Sequence, residues 1–230
     1  MKLPFLTLFL IFIIYLTIQL KRTSRDQEKH EAEYWKREHD ANFVRKKNID
    51  NLPYIAFDIS QIPLHDELKD VHISEYIEEL STISGTKILN STGKSNTDLK
   101  LEYGTANITK LTEYDNNYTV LVRNIARLAE KYLIHSAILL ENISIAADTQ
   151  EDKKASANAE LSATLKSDAR TLLEYGISIG TDVRMNYELL SALYAENNEL
   201  DKIAALKVSA ESLNSLSKAP ILRHLEQYTL

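Results

Sequence analysis

Residues Leu3 to Leu20 constrain this chain more than any other stretch. They read LPFLTLFLIFIIYLTIQL, uncharged throughout, with Thr7, Thr17 and Gln19 as the polar members. A helix of that length is about 27 Å long, close to the hydrocarbon thickness of a bilayer at roughly 30 Å. In lipid a single segment satisfies its backbone groups only as a helix, so the run predicts a membrane-spanning helix over residues 3–20. It is longer than the core of a secretory leader and ends Thr17-Ile18-Gln19-Leu20-Lys21-Arg22 without a small-x-small site. A retained anchor is therefore expected in preference to a cleaved peptide. Lys21, Arg22, Arg25 and Lys29 follow the run, against Lys2 before it. The positive-inside rule then places the carboxyl side, and with it the rest of the chain, in the cytoplasm.

Behind the anchor, charge is unevenly spread. Residues 21–50 carry nine Lys/Arg and seven Asp/Glu, whereas residues 51–230 carry seventeen and twenty-six. The slightly basic stretch lies where anionic headgroups would attract it. The acidic bulk argues against nucleic acid as a partner. There is no cysteine, which excludes disulfides and thiolate metal sites. Five glycines and four prolines in 230 residues suit a helical chain. The composition and the patterns below predict a mainly α protein: an N-terminal transmembrane helix, an extended arm, and an α-helical stack.

Residues 23–50 read as a charged juxtamembrane helix, supported by Lys29–Glu33 and Glu33–Arg37 at i, i+4. Tyr34, Trp35 and Phe43 lie beyond headgroup level on a straight helix and are expected to dock onto the following domain. Residues 51–110 read as an arm, a helix and loops. In NLPYIAFDISQIPL, Ile55, Phe57 and Ile59 alternate with Ala56, Asp58 and Ser60 between Pro53 and Pro63. That period suits a strand, whose partners would be Lys87–Asn90 or Leu99–Tyr103, or equally an extended arm on a helical surface. Ile73, Ile77 and Leu80 place a helix over 66–83 that Gly85 ends.

From residue 111 to the end the chain reads as helical and repetitive. Ile143-Ser144-Ile145-Ala146-Ala147-Asp148 corresponds to Ile177-Ser178-Ile179-Gly180-Thr181-Asp182 thirty-four positions later, and Leu161-Ser162-Ala163 to Leu190-Ser191-Ala192 twenty-nine positions later. Three helix pairs are expected: 117–132 with 136–147, 154–166 with 168–180, and 183–196 with 200–214. Gly180 should stop one helix and Asp182 should cap the next. Pro220 should open a short final helix. A period near 34 made of two helices resembles the tetratricopeptide repeat (TPR). The third pair carries the resemblance best, with Ser191 at the small position, Tyr194 at the aromatic one and Ala210 at the late small one. It departs from the pattern at Ile203 and Lys207, it lacks the Trp-Leu-Gly opening, and the second pair has Leu165 where Tyr194 stands. The stretches SNTDLKLEYGTANI (95–108) and LLEYGISIGTD (172–182) also resemble uncharacterised membrane-anchored proteins of anaerobic Gram-positive bacteria.

Chemistry-bearing motifs are sparse. His65-Asp66-Glu67 with His72 offers ligand-type residues, but not at H-x-x-x-H or H-E-x-x-H spacing. Phosphate-binding glycine loops and nucleophile elbows are absent, so no metal, cofactor or catalysis is expected. A TPR-like stack instead implies a protein or peptide partner held at the membrane. The residues expected to meet it are Arg123, Arg127, Asn158, Arg184 and Glu188. Arg123 and Arg127 are one turn apart, and paired guanidinium forks suit a carboxylate or acidic peptide. The alternative is an enzyme, or an enzyme accessory, with its site in residues 51–110.

Overall fold

The structure, a computed structural model, describes residues 3–146 and 152–228. Among the described residues there are eight α-helices and no β-strand. The chain divides into two compact units.

The first unit contains residues up to 49 together with residues 95–109. Its backbone is α1, Leu3–Asn42, which runs unbroken from the apolar stretch into the charged one. Pro4 lies in the first turn, where a missing N–H costs nothing, and no glycine interrupts the rest. The Thr17 and Thr23 hydroxyls donate to the carbonyls of Ile13 and Gln19 one turn back, so the helix satisfies them itself. It is the one described helix long and apolar enough to cross a membrane, and the large apolar side chains between Leu8 and Leu20 are not covered by protein.

The far end of α1 is held by polar contacts. Helix α3, Asn96–Tyr103, lies against it. Arg37 pairs with Asp98, Lys100 with Glu38, and the Thr97 hydroxyl donates to Glu38 at 2.5 Å. A capping box starts α3: the Ser95 hydroxyl accepts from the Asp98 N–H, and Asp98 accepts from the Ser95 N–H. Gly104 ends it at φ +87°, with the Arg45 carbonyl so close that a Cβ would stand 2.4 Å from its oxygen. Two expectations fail here. Leu99–Tyr103 is helix, not a strand. Within this unit Tyr34, Trp35 and Phe43 are 57–74% exposed and take no part in the contact, whose α1 face is instead Glu38, Ala41 and Asn42. Trp35 donates to Glu31 one turn back, which occupies its N–H without burying its ring.

The second unit contains residues 50–94 and 110–230. Residues 51–64 form an arm with one antiparallel bridge, Ile55 to Ile88, and a 3-10 turn at Ile59–Gln61 capped by Asp58. Pro53 and Pro63 leave room for nothing longer. Phe57 and Ile62 face the core. A second 3-10 turn, Asp66–Leu68, precedes α2, Val71–Ile83, whose N-cap is Asp70. Ile73 and Leu80 are buried on one stripe, as the period requires.

The largest departure concerns the helix pairs. Helix α4 runs unbroken over Ile108–Ala146 and α5 over Asp152–Ser178. Each of the first two expected pairs is a single long helix. The expected turns, at 133–135 and near 167, contain no glycine or proline, and apolar spacing continues through them, so helix propagation meets no obstacle. Part of the 34-residue correspondence, Ala147 and Asp148, lies outside the described residues. The two helices run antiparallel and touch through small residues: the Ser136 hydroxyl donates to the Ser162 carbonyl and the Ser162 hydroxyl to the Ser136 carbonyl, both at 3.0 Å. The stripe Leu121, Ile125, Leu128 and Tyr132 is fully buried.

The third pair is present as α6, Arg184–Glu196, and α7, Leu200–Glu211. Between them Asn198 takes the left-handed conformation that asparagine tolerates. Gly180 ends the turn after α5 at φ +76°, as expected. Asp182 does not cap α6. The Thr181 hydroxyl accepts from the Val183 N–H instead, and half-buried Asp182 makes no cap hydrogen bond. Gly176 is needed for close packing, since a Cβ there would stand 2.1 Å from Asn186 Nδ2. The last helix, α8, spans Lys218–Leu225 and begins two residues before Pro220; it buries Ile221 and Leu225.

Candidate functional site

A groove of about 420 Å³ opens beside α4 in the second unit. Its α4 wall is Asp115, Tyr118, Thr119, Val122, Arg123, Ala126 and Arg127; Asp182, Val183 and Met185 come from the α5–α6 junction and Thr92 from the loop before α3. The helical period explains the α4 wall. Residues 115, 119, 122, 123, 126 and 127 recur at three and four, so they share one face, while Leu121, Ile125 and Leu128 face the core.

The groove is charged over an apolar floor of Val122, Ala126, Val183 and Met185. Arg123 is exposed and has no ion-pair or hydrogen-bond partner among the described residues. Arg127 is also exposed, its guanidinium 5.8 Å from the centre of the Tyr76 ring, a cation–π contact that leaves its N–H edge free. Asp115 accepts from the Ser91 N–H at 3.0 Å. The Tyr118 hydroxyl accepts from Asn90 at 2.9 Å and donates to the Ile179 carbonyl at 3.3 Å. Burial, and then the nearby Asp182 charge, push the Tyr118 phenol well above its ordinary value, so it stays neutral as a fixed wall. The groove's chemistry is charge recognition: two guanidinium groups one turn apart, an aromatic support for one of them, and free carboxylate at the edge.

Of the five residues expected at the partner face, Arg123 and Arg127 are brought together here. Arg184 and Glu188 sit on the first turns of α6, next to Val183 and Met185, but they pair with each other at 2.5 Å and do not line the groove. Asn158 is not part of it. It lies near the start of α5, about 30 Å along the helix from the Asp182 end. The sequence reading put Asn158 in a second helix pair that does not exist, and the long α5 carries it away.

The 51–110 region holds a second cavity of about 400 Å³, lined by Tyr54 to Asp58, Gln61 and Gly85 to Lys87. Its charged groups have structural work. Asp58 caps the 3-10 turn, and Lys87 lies 4.7 Å from the Tyr54 ring centre and 3.7 Å from Asp50. Among the described residues no group of three or more His, Asp or Glu is placed to hold a metal ion.

Two polar clusters escaped the sequence reading. His65 is buried between Glu67, at 2.8 Å, and Asp168 on α5, at 2.7 Å. Asp70 meets His135 at 3.0 Å and Lys131 at 3.2 Å, both on α4. The His135 hydrogen bond, with Lys131 and the His72 N–H behind it, holds the Asp70 carboxyl far below the usual carboxylate range. Asp168 is 103 positions from His65, so no local motif could reveal the contact. His72, grouped with His65 in the sequence, turns away to Glu75.

No protein-family model, curated protein or solved structure matches this chain. The groove's own geometry therefore carries the functional reading.

Proposed function

We propose that this chain is a membrane-anchored interaction module whose α-helical domain holds an acidic segment of a partner protein in the Arg123–Arg127 groove. Residues 3–20 tether it, and the helical domain stands on the cytoplasmic side. The observation that carries the reading is that Arg123 and Arg127 share one groove wall while, among the described residues, neither is neutralised by a neighbouring carboxylate. Surface arginines commonly find intramolecular partners, as Arg170 does with Glu199 and Glu174 and Arg184 does with Glu188. Two that do not, above an apolar floor, are arranged to receive carboxylates in bidentate geometry. Burial of Ser191, Tyr194 and Ala210 in the α6–α7 pair supports reading that part as TPR-like. The role proposed is scaffolding without catalysis, and the chain acts without cofactor or nucleic acid.

The test is charge reversal, Arg123→Glu with Arg127→Glu, in the full chain followed by chemical cross-linking in intact cells. Loss of a discrete cross-linked species, with circular dichroism unchanged, is the expected result. An identical set of cross-linked species would remove this groove from consideration.

A further inference from the structure

The arm of residues 51–68 is fastened to the long helices at His65. His65 is 8% exposed, and its imidazole lies edge-on to the Tyr132 ring, with centres 4.9 Å apart. The Tyr132 hydroxyl donates to the Pro63 carbonyl at 2.8 Å, so the ring contact and the arm's backbone are tied together. His65 Nδ1 faces Glu67 Oε1 at 2.8 Å, and Nε2 faces Asp168 Oδ2 at 2.7 Å. Ionised carboxylates only accept hydrogen bonds. Both contacts are therefore hydrogen bonds only when both ring nitrogens carry protons. A neutral imidazole would turn a lone pair toward one carboxylate oxygen at contact distance.

We propose that His65 is a proton-operated latch: the imidazolium fastens residues 57–68 to α5 through Asp168, and its deprotonation releases that segment from the helices. Beneath the segment is a small cavity of about 140 Å³ walled by Phe57, Ile62, Pro63, Leu172 and Tyr175. Release uncovers that apolar seam. The division of labour follows from exposure. The Asp168 side chain is 25% exposed and joins segments far apart in sequence, so it is the fastening. The Glu67 side chain is 54% exposed and lies on the arm itself, so it orients the ring.

The groups facing His65 are Glu67 from the arm, Asp168 from α5 and Tyr132 from α4. The next charged cluster, Asp70 with Lys131 and His135, secures the start of α2 separately. Burial lowers the His65 pKa, and the hydrogen bonds to Glu67 and Asp168 more than reverse this, leaving it above the ordinary histidine value. A raised histidine contributes its stability fully below the unfolded value of about 6.5 and loses it as pH rises through the folded value. The latch is thus closed on the acid side and opens as pH rises through the folded His65 value, which lies above the ordinary one. It stands apart from the arginine groove and does not depend on that reading.

Hydrogen exchange of the full chain in detergent micelles tests it, with rates corrected for intrinsic pH dependence. Protection of residues 57–68 should fall about tenfold between pH 6 and pH 9 while that of residues 184–211 stays constant. Glu67→Gln separates the latch from simple burial. A glutamine amide can donate to Nδ1 of the neutral ring, leaving Nε2–H for Asp168, so the fall should shrink below about threefold. Imidazole nitrogen NMR of the unaltered protein should show both ring N–H groups at pH 6. The proposal is overturned by flat protection across the range, by an equal fall in residues 184–211, by an equal fall in Glu67→Gln, or by a neutral His65 ring at pH 6.

Discussion

Leu190 offers the sharpest check on how the α5–α6–α7 layer is built. It sits mid-way along α6 with no exposed surface, on the stripe that includes Tyr187 and Tyr194. Leu190→Ala removes three carbon atoms from a fully packed site. At about 0.8 kcal/mol per buried methylene, the transfer loss alone is roughly 2.4 kcal/mol. The cavity left behind adds to this wherever the surroundings cannot collapse, and here they are the cores of two helices. The expected cost is therefore about 3 kcal/mol, inside the usual range of roughly 2–5 kcal/mol for a core leucine truncation. A domain with about 5–15 kcal/mol in total would lose a large fraction of its stability. Urea unfolding followed by circular dichroism in detergent micelles measures this, with Leu216→Ala as the control. Leu216 is 99% exposed and should change stability by less than about 0.5 kcal/mol. If Leu190→Ala costs under about 1 kcal/mol, well below that core range, Leu190 is not packed as described and the helix register fails.

Other perturbations follow from the same packing. Ser162→Leu should force α4 and α5 apart, because Ser136 and Ser162 exchange hydrogen bonds at van der Waals contact; thermal unfolding should show a loss of about 1–3 kcal/mol or more, typical of overpacking. Deleting residues 1–22 should move the protein to the soluble fraction with its far-ultraviolet spectrum per residue little changed, because the large apolar side chains between Leu8 and Leu20 are exposed rather than part of a core; retention in salt-washed membranes would refute the single-anchor reading. Asp70 gives a pH effect of opposite sign to His65. Its folded pKa is depressed by His135 and Lys131, so its contribution is present above the ordinary carboxylate value and lost as pH falls below it. Asp70→Asn should therefore lower stability at neutral pH and make acid unfolding less steep, as read by circular dichroism against pH.

What was legible in the sequence was periodic or compositional. The anchor follows from one uncharged run. The α2 and α4 stripes follow from apolar spacing, and the start of the α6–α7 pair from Gly180. Turns were overcalled where no residue forbids helix: a repeat of 34 suggested breaks inside α4 and α5, yet Tyr132–Ser136 and Lys166–Asp168 propagate freely. Helix α3 was missed although Ser95 and Asp98 carry a capping-box signal, because the surrounding Asn, Ser and Gly read as loop. For the site, Arg123 and Arg127 were legible from their i, i+4 spacing. Asn158 was misplaced because its location depends on helix length. The His65–Asp168 contact depends on tertiary packing alone and has no local signature.

The central claim is that the Arg123–Arg127 groove receives a partner protein at the membrane. A photo-activated cross-linking residue at exposed Thr119, inside the groove, tests this most directly, with the same residue at Leu216 as the reference site. A discrete adduct should form from Thr119 in intact cells, be absent from Leu216 and disappear when Arg123 and Arg127 are both changed to Glu. No adduct from Thr119, or the same adducts from both positions, would contradict it.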